Sequence, residues 1–445
     1  MPENNRRKEA VVLSAGGSPA AYDIVRSLGI AGIGSHVASA QPDEIAFHSS
    51  YCARRLVVPG FNAGREEELL RLMLDFGKSV GEGSVLYYAS DAELTFVWRF
   101  RRQLQEVYRF LLPSDATMEA LCNKVRFAEF ARLHNLPAPA TRIVADKSEL
   151  LVMLPLVKFP CIVKPAFSQD WVWETEEQQA RFGPYKKALR RFESPGALAD
   201  FCAALPERAS GFLIQSYIEG RDEAIVSFHG YFDEQSRCLG YFIGRKIRTY
   251  PPHTGGSVYI ETLHQQALAD RSIDYLRRIA FQGIVKIDYK WDPDDAEFKI
   301  LEINPRYNLW ELLGAYAGAN LSYIAYRHQN GLSNTPQVSY RAGTRLLYVK
   351  QDLRAFFGGY RKTKEWTLRA YLRSLMTKKQ YGVFDPRDPV PFLVSALGFL
   401  KRKLLRRNAM RILPRDAGSP APVREDRLKS PPLKRAEQAV LEDNQ

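Results

Sequence analysis

Six polar side chains fall at every second position of two short runs. In "GIVKIDYK" (283–290), Lys286, Asp288 and Lys290 alternate with Val285, Ile287 and Tyr289. In "KILEINPRYN" (299–308), Glu302, Asn304 and Arg306 alternate with Leu301, Ile303 and Pro305. Read as strands, each run puts its polar set on one face and its apolar set, Leu301 and Ile303 included, toward a core. The acidic turn "PDDA" between them predicts a hairpin, which brings Asp288 beside Glu302 and Asn304. Three hard oxygen donors on adjacent strands suit Mg²⁺, with Lys286 and Arg306 flanking where phosphate oxygens would lie. A solvated polar hairpin face is the alternative; the amide between carboxylate and guanidinium favours a site.

These strands need a scaffold. A chain of 445 residues predicts two or three domains, and 45% hydrophobic with 25% charged residues is a globular balance. "EAVVLSAGG", "SPAAYDIVRSLGIAG" and "IGSHVAS" read as strand, helix and strand, the opening of a parallel α/β sheet. "SVLYYAS" is a further strand with Asp91 just past its end. "TMEALCNKVRFAEFARLHN" reads as one helix, followed by strands "ATRIVA", "PCIVKPAF", "GFLIQSYI", "EAIVSFHGYF" and "RCLGYFIGRKIRTYPP". A helix "ADRSIDYLRRIAFQG" precedes the hairpin and another, "LWELLGAYAGANLSYIAYRHQNG", follows it.

Other chemistry is excluded by pattern. Five cysteines are dispersed with no CxxC pair, which fits a reduced compartment. The seven histidines lack metal spacing, and only His253, in "PPHTGG", stands out for substrate contact. GxGxxG is absent from the opening, so its glycines read as a tight strand-to-helix turn. The polar N-terminus carries no secretory signal, and "VPFLVSALGFL" is too short to span a bilayer. The net charge of +13 is concentrated: 341–412 holds 18 Lys/Arg against 4 Asp/Glu. "ALGFLKRKLLRRNAMRIL" alternates apolar and basic groups, which suits either an anionic membrane surface or a solvated helix face. Few aromatics interleave, against nucleic acid. The stretch from 413 is rich in proline and charge and reads as a disordered tail.

"LEINPR", with "KID" fourteen residues earlier, resembles the metal-binding signature of ATP-grasp enzymes. Within that superfamily the stretches "GRKIRTYPP", "EINPRYNLW" and "ANLSYIAYR" are similar to D-aspartate ligase and predicted carboxylate–amine ligases. The resemblance covers about 8–330. It implies a mixed α/β and α+β architecture: a Rossmann-like pre-ATP-grasp domain (1–115), two ATP-grasp subdomains (116–210 and 211–335), a basic, partly helical extension (336–412) and the tail (413–445).

It also implies roles. Asp288, Glu302 and Asn304 would hold one or two Mg²⁺ ions, with Mn²⁺ as a substitute; Arg306 and Lys286 would serve the transferred phosphoryl group and acyl intermediate. Lys124 and Lys164 match the two phosphate lysines. An acidic residue usually precedes the first, where Asn123 stands here. Gln215, Ser216, Tyr217 and Ile218 would line adenine, and Glu223, ahead of Glu219 or Asp222, the ribose. Lys246 and Arg248, two apart on one strand face, offer a further phosphate ligand, and Ser18 and Asp91 the acceptor cleft. The loop after Lys164 departs from the pattern: "AFSQDWVWETEEQQARFGPYKKALRRFES" has glycine only at Gly183, leaving Ser168, with Lys186 or Lys187, to replace a backbone cradle. The expected function is an ATP-dependent carboxylate–amine ligase acting on small-molecule acid and amine through an acylphosphate. A nucleotide sensor without turnover is the alternative. The setting is cytoplasmic, with peripheral contact at the inner membrane face through the basic C-terminal region; no nucleic-acid partner is expected.

Overall fold

The computed structural model describes residues 9–62, 64–146, 149, 152–165, 191–203, 212–253, 255–333 and 335–398. The chain divides into Met1–Ser395 and Ala396–Gln445, and every element named here belongs to the first. Ser168, Lys186, Lys187, the basic run 401–412 and the tail from 413 lie outside the described residues.

The first sheet is parallel, in the order β3-β2-β1-β4-β5, with β1 Ala10–Ser14, β2 Ser35–Ser39, β3 Cys52–Val57, β4 Ser84–Tyr87 and β5 Tyr108–Arg109. The fully buried "AVVLS" of β1 suits a strand covered on both faces. Gly16 then turns the chain at φ +82°, and a Cβ there would strike the Gln41 side chain, so the turn into helix Ala20–Ile30 requires glycine.

A second, antiparallel sheet follows, ordered β6-β9-β7-β8: β6 Thr141–Val144, β7 Cys161–Pro165, β8 Arg191–Phe192 and β9 Phe212–Ser216. Val144, Cys161, Val163, Phe212 and Ile214 pack with Leu198, Phe201 and Cys202 of helix Pro195–Ala203. By the period of two, Lys164 and Gln215 occupy the opposite face.

The third sheet has seven strands, β14-β13-β10-β11-β12-β15-β16. They are β10 Ile225–Phe232, β11 Cys238–Tyr250, β12 Gly256–Thr262, β13 Gly283–Asp292, β14 Glu297–Asn304, β15 Arg345–Leu347 and β16 Gln380–Tyr381. The expected hairpin is β13–β14. A bulge after Asp288 skips Leu301, so Ile300 and Ile303 enter the core and Leu301, expected there, does not.

Two expected helices are broken. Asn123 ends Asp115–Cys122 and caps Lys124–Leu133, accepting from the amides of Val125 and Arg126. Gly318, at φ +104°, ends Glu311–Ala317, and Asn320 caps Leu321–Gln329. The boundary expected at 336 is no break either, because β15 and β16 extend the third sheet. Residues beyond them reach back to the first helix: Arg26, almost wholly buried, pairs with Asp385 at 2.7 Å and donates to the Gly382 carbonyl at 2.9 Å.

Candidate active site

The register of the third sheet builds the site. Asp288 stands opposite Glu302 on one side and Ser227 on the other, while Lys286 stands opposite Asn304 and His229. Directly opposed residues of antiparallel strands share a face, so the expected metal ligands Asp288, Glu302 and Asn304 come together. Asp288 is buried, and Glu302 and Asn304 are half-buried, so this face is no solvated hairpin. Ser227 Oγ donates to Asp288 Oδ1, and Lys286 Nζ lies 2.7 Å from Oδ2. Lys246 Nζ approaches the same Oδ2 at 3.7 Å.

Burial opposes the Asp288 charge, but the Lys246 and Lys286 ammonium groups overcome it and hold the carboxyl far below the usual range. Burial lowers Lys286, with Lys246 adding repulsion and Asp288 restoring the charge. Among the described residues no three His, Cys, Asp or Glu side chains converge on a metal position. The donor set is two carboxylates and one amide, and an ionised Asp288 with neighbouring hard oxygens fits Mg²⁺.

His229 is a member that sequence reasoning missed, hidden in the apolar run "VSFHGYF". It is fully buried and stacks on Phe242 at 4.5 Å and against Trp310 at 4.9 Å. Burial, then the charges of Lys286 and Lys246, depress its pKa, so it is a neutral imidazole. Ser227 was equally silent, being an ordinary strand serine until its register is known.

At the end of β14, Arg306 turns toward the first domain. Its Nε lies 2.6 Å from Asp91 Oδ1, at the N-terminus of helix Asp91–Arg99, and Nη1 lies 3.4 Å from the Ala89 carbonyl. Ser18, the other acceptor-cleft expectation, is exposed in the turn before the first helix, where its hydroxyl accepts from the Ala20 amide.

The second sheet carries another group. Lys164 Nζ donates to Gln215 Oε1 at 2.7 Å, and Gln215 Nε2 to Thr141 Oγ1 at 2.9 Å. Lys124, just past the Asn123 cap, opens the helix that packs against β6 and β9. Past Gln215, the Ser216 amide is spent on the Ala140 carbonyl and the Tyr217 amide on that of Pro160. The Arg191 guanidinium and Lys290 Nζ each lie 4.9 Å from the centroid of the Tyr217 ring. Ile218 is buried.

The three acidic residues of the hinge are sorted by their partners. Glu219 pairs with Arg191 at 2.7 Å. Asp222 is buried, accepting from Thr249 Oγ1 at 2.8 Å and from the Tyr360 hydroxyl, with His253 Nδ1 at 3.1 Å. Glu223 is half-buried and its pKa is raised by burial first.

Two expectations are corrected. Arg248 does not join Lys246 on one face: bulges on either side of it break the alternation. It is fully buried, bidentate to Asp352 at 2.6 and 3.0 Å, and boxed by Tyr259, Trp366 and Tyr371. A phosphate cannot reach it without displacing Asp352. His253, expected at substrate, instead bridges Asp222 and Glu365 (Nε2 to Oε1, 2.9 Å).

No family model matches the chain. In sequence it is 27% identical over 303 residues to a D-aspartate ligase of Enterococcus faecium (strain Aus0004), covering 65% of this chain and 68% of that protein. It is 24% identical over 243 residues to the carbamoyl phosphate synthase large chain of Methanothermobacter thermautotrophicus, 51% of this chain but only 21% of that protein. In structure it resembles the biotin carboxylase–ATP complex of Campylobacter jejuni, with TM-score 0.55, 13% identity, and coverage of 77% of this chain and 75% of that one. The fold is therefore that of ATP-grasp proteins, a parallel nucleotide-type domain followed by an antiparallel four-stranded sheet and a seven-stranded sheet antiparallel but for its β15–β16 edge. In sequence and in fold, the chain is thus similar to ligases of the ATP-grasp kind.

Proposed function

We propose that the chain is an ATP- and Mg²⁺-dependent carboxylate–amine ligase for a small-molecule acid and a small-molecule amine. One observation carries this reading: Ser227, Asp288 and Glu302 form one opposed row, Lys286 and Asn304 the next. Donors fixed by strand pairing need no rearrangement when a phosphoryl group arrives, which is the positioning such transfer depends on. The D-aspartate ligase relative is, by its name, a ligase of an amino acid.

Asp288, Glu302 and Asn304 would hold one or two Mg²⁺ ions, or Mn²⁺, which as Lewis acids would neutralise phosphate charge. Lys164, Lys124 and Lys246 would take phosphate oxygens. With the Ser216 and Tyr217 amides spent within the sheet, Ile218 is the hinge amide assigned to adenine, with Gln215 beside it. Glu223 would take the ribose hydroxyls. A carboxylate oxygen of the acid attacks the γ-phosphorus, the bond to the β,γ-bridging oxygen breaks, and ADP leaves. The amine nitrogen then attacks the acyl carbon. A C–N bond forms, the C–O bond to phosphate breaks, and phosphate departs while the amine proton passes to solvent. Arg306 would stabilise the oxyanion of the tetrahedral intermediate, with Lys286 beside the transferred group. A cytoplasmic setting belongs to the same reading.

The test is ADP release against a panel of amino acids and carboxylates, in the wild type and in Asp288→Ala/Glu302→Ala. Substrate-stimulated ADP that disappears in the double variant is the expected result. ATP binding without stimulated ADP would make the protein a nucleotide sensor, and ADP formation unchanged in the double variant would remove the metal assignment.

A further inference from the structure

We infer that the surface formed by residues 349–393 is a docking face for an anionic lipid bilayer. The segment holds 10 Lys/Arg and 4 Asp/Glu, and the fold sorts them by sign. The four acids are turned inward. Asp352 pairs with Arg248, Asp385 with Arg26, Glu365 with His253, and Asp388 accepts from Tyr22 and Ser49. The bases face outward: Arg354, Arg361, Lys362, Lys364, Arg369 and Arg373 are all exposed. With Asp352, Asp385 and Asp388 buried, Glu365 half-buried and paired, and these cations exposed, the outer surface is more positive than composition implies.

Apolar side chains share that surface at helical spacing. Leu368, Leu372 and Met376 recur every fourth residue along helix Leu368–Leu375 and its end, exposed by 47%, 52% and 85%. Val349, Leu353 and Phe357 repeat the spacing on helix Val349–Ala355 and the turn after it, again exposed. The two helices pack together through Phe356 stacked on Tyr371 at 3.9 Å. Their inner faces thus pack together, while their outer apolar stripes stay exposed.

Apolar stripes collared by lysine and arginine match the boundary between acyl chains and anionic headgroups. No described helix is long and apolar enough to cross a bilayer, so the contact is peripheral. The face lies within the basic extension 336–412 but does not include the run 401–412, and the inference does not depend on the ligase reading.

The test is co-sedimentation of the full chain with vesicles of phosphatidylcholine containing roughly a quarter phosphatidylglycerol, and with pure phosphatidylcholine. Binding to the anionic vesicles alone, weakened by salt, is expected. Leu368→Glu/Leu372→Glu should reduce partition about tenfold or more. Met376→Glu, at the most exposed position, should give a smaller loss and serves if the double variant misfolds. Arg369→Glu/Arg373→Glu should also weaken binding. Failure of the wild type to bind overturns the inference, as does binding to a single-stranded oligonucleotide in preference to vesicles. So does binding that survives all these variants but is lost in the full-length Lys401→Glu/Arg402→Glu/Lys403→Glu protein.

Discussion

Arg306 and Asp91 meet at 2.6 Å, joining the end of β14 to the first helical turn after β4. Their sequence separation of 215 residues means that only the assembled fold makes the pair. Arg306 is largely buried whereas the Asp91 side chain is 70% exposed. A carboxylate that wet adds little stability. Its consequence is to fix the direction of a planar guanidinium beside Glu302.

Asp91→Asn should therefore change the unfolding free energy by less than about 1 kcal/mol. Substrate-stimulated ADP release should fall about tenfold or more, through misorientation of Arg306. The nucleotide Kd should stay unchanged. A matching loss of ATP affinity would instead put Arg306 on the nucleotide.

Asp288→Asn keeps the shape of the side chain but removes the anion shared by Lys286 and Lys246. We expect ADP release to drop about a hundredfold or more. The Mg²⁺ concentration for half-maximal nucleotide binding should rise, as titration followed by calorimetry would show. Ser227→Ala, removing one hydrogen bond to the same carboxylate, should have a smaller effect in the same direction. An unaltered Mg²⁺ dependence in both variants would move the metal away from Asp288.

Arg248→Met separates a structural from a phosphate-binding role. Removing the cation leaves Asp352 buried with its charge uncompensated, at a cost of roughly 3–5 kcal/mol. Urea unfolding should show that loss, while ATP affinity per folded molecule should remain that of the wild type. A stable variant with weakened ATP binding would return Arg248 to the nucleotide.

His253 makes stability depend on pH. The hydrogen bond to Asp222, against burial and with Glu365 assisting, pushes its pKa up to about 9 from an ordinary 6.5. The folded value exceeds the unfolded one, so this stabilisation is complete below about pH 6.5 and is lost as pH rises through about 9. The imidazole is more than a third exposed, so solvent screening reduces the effect to about 1–2 kcal/mol. His253→Gln should be less stable than the wild type by that amount at pH 6, with the gap closing near pH 10. A constant gap across that range would mean that shape, not charge, is what His253 supplies.

The hairpin was legible because alternation in "GIVKIDYK" and "EINPR" is a local property of the backbone. Where bulges interrupt it, the same rule misplaced Leu301 and Arg248. A one-residue slip moves a side chain to the other face, and nothing local marks it. The helix breaks at Asn123 and Gly318 depend on single caps within otherwise continuous apolar patterns. β12 was missed behind its glycine turn, and β15 and β16 because strands of three and two residues carry no period. Asp91 was legible as a residue just past the end of a strand, though its Arg306 partner was not, and His229 has no signature of its own.

Arg26 sits in the first helix, yet its buried charge is answered by Asp385, and nearby Asp23 receives the hydroxyl of Tyr348. A ribosome must therefore release nearly the whole structured chain before that opening helix can complete its contacts. Nascent chains halted short of residue 385 would hold Arg26 without its carboxylate partner.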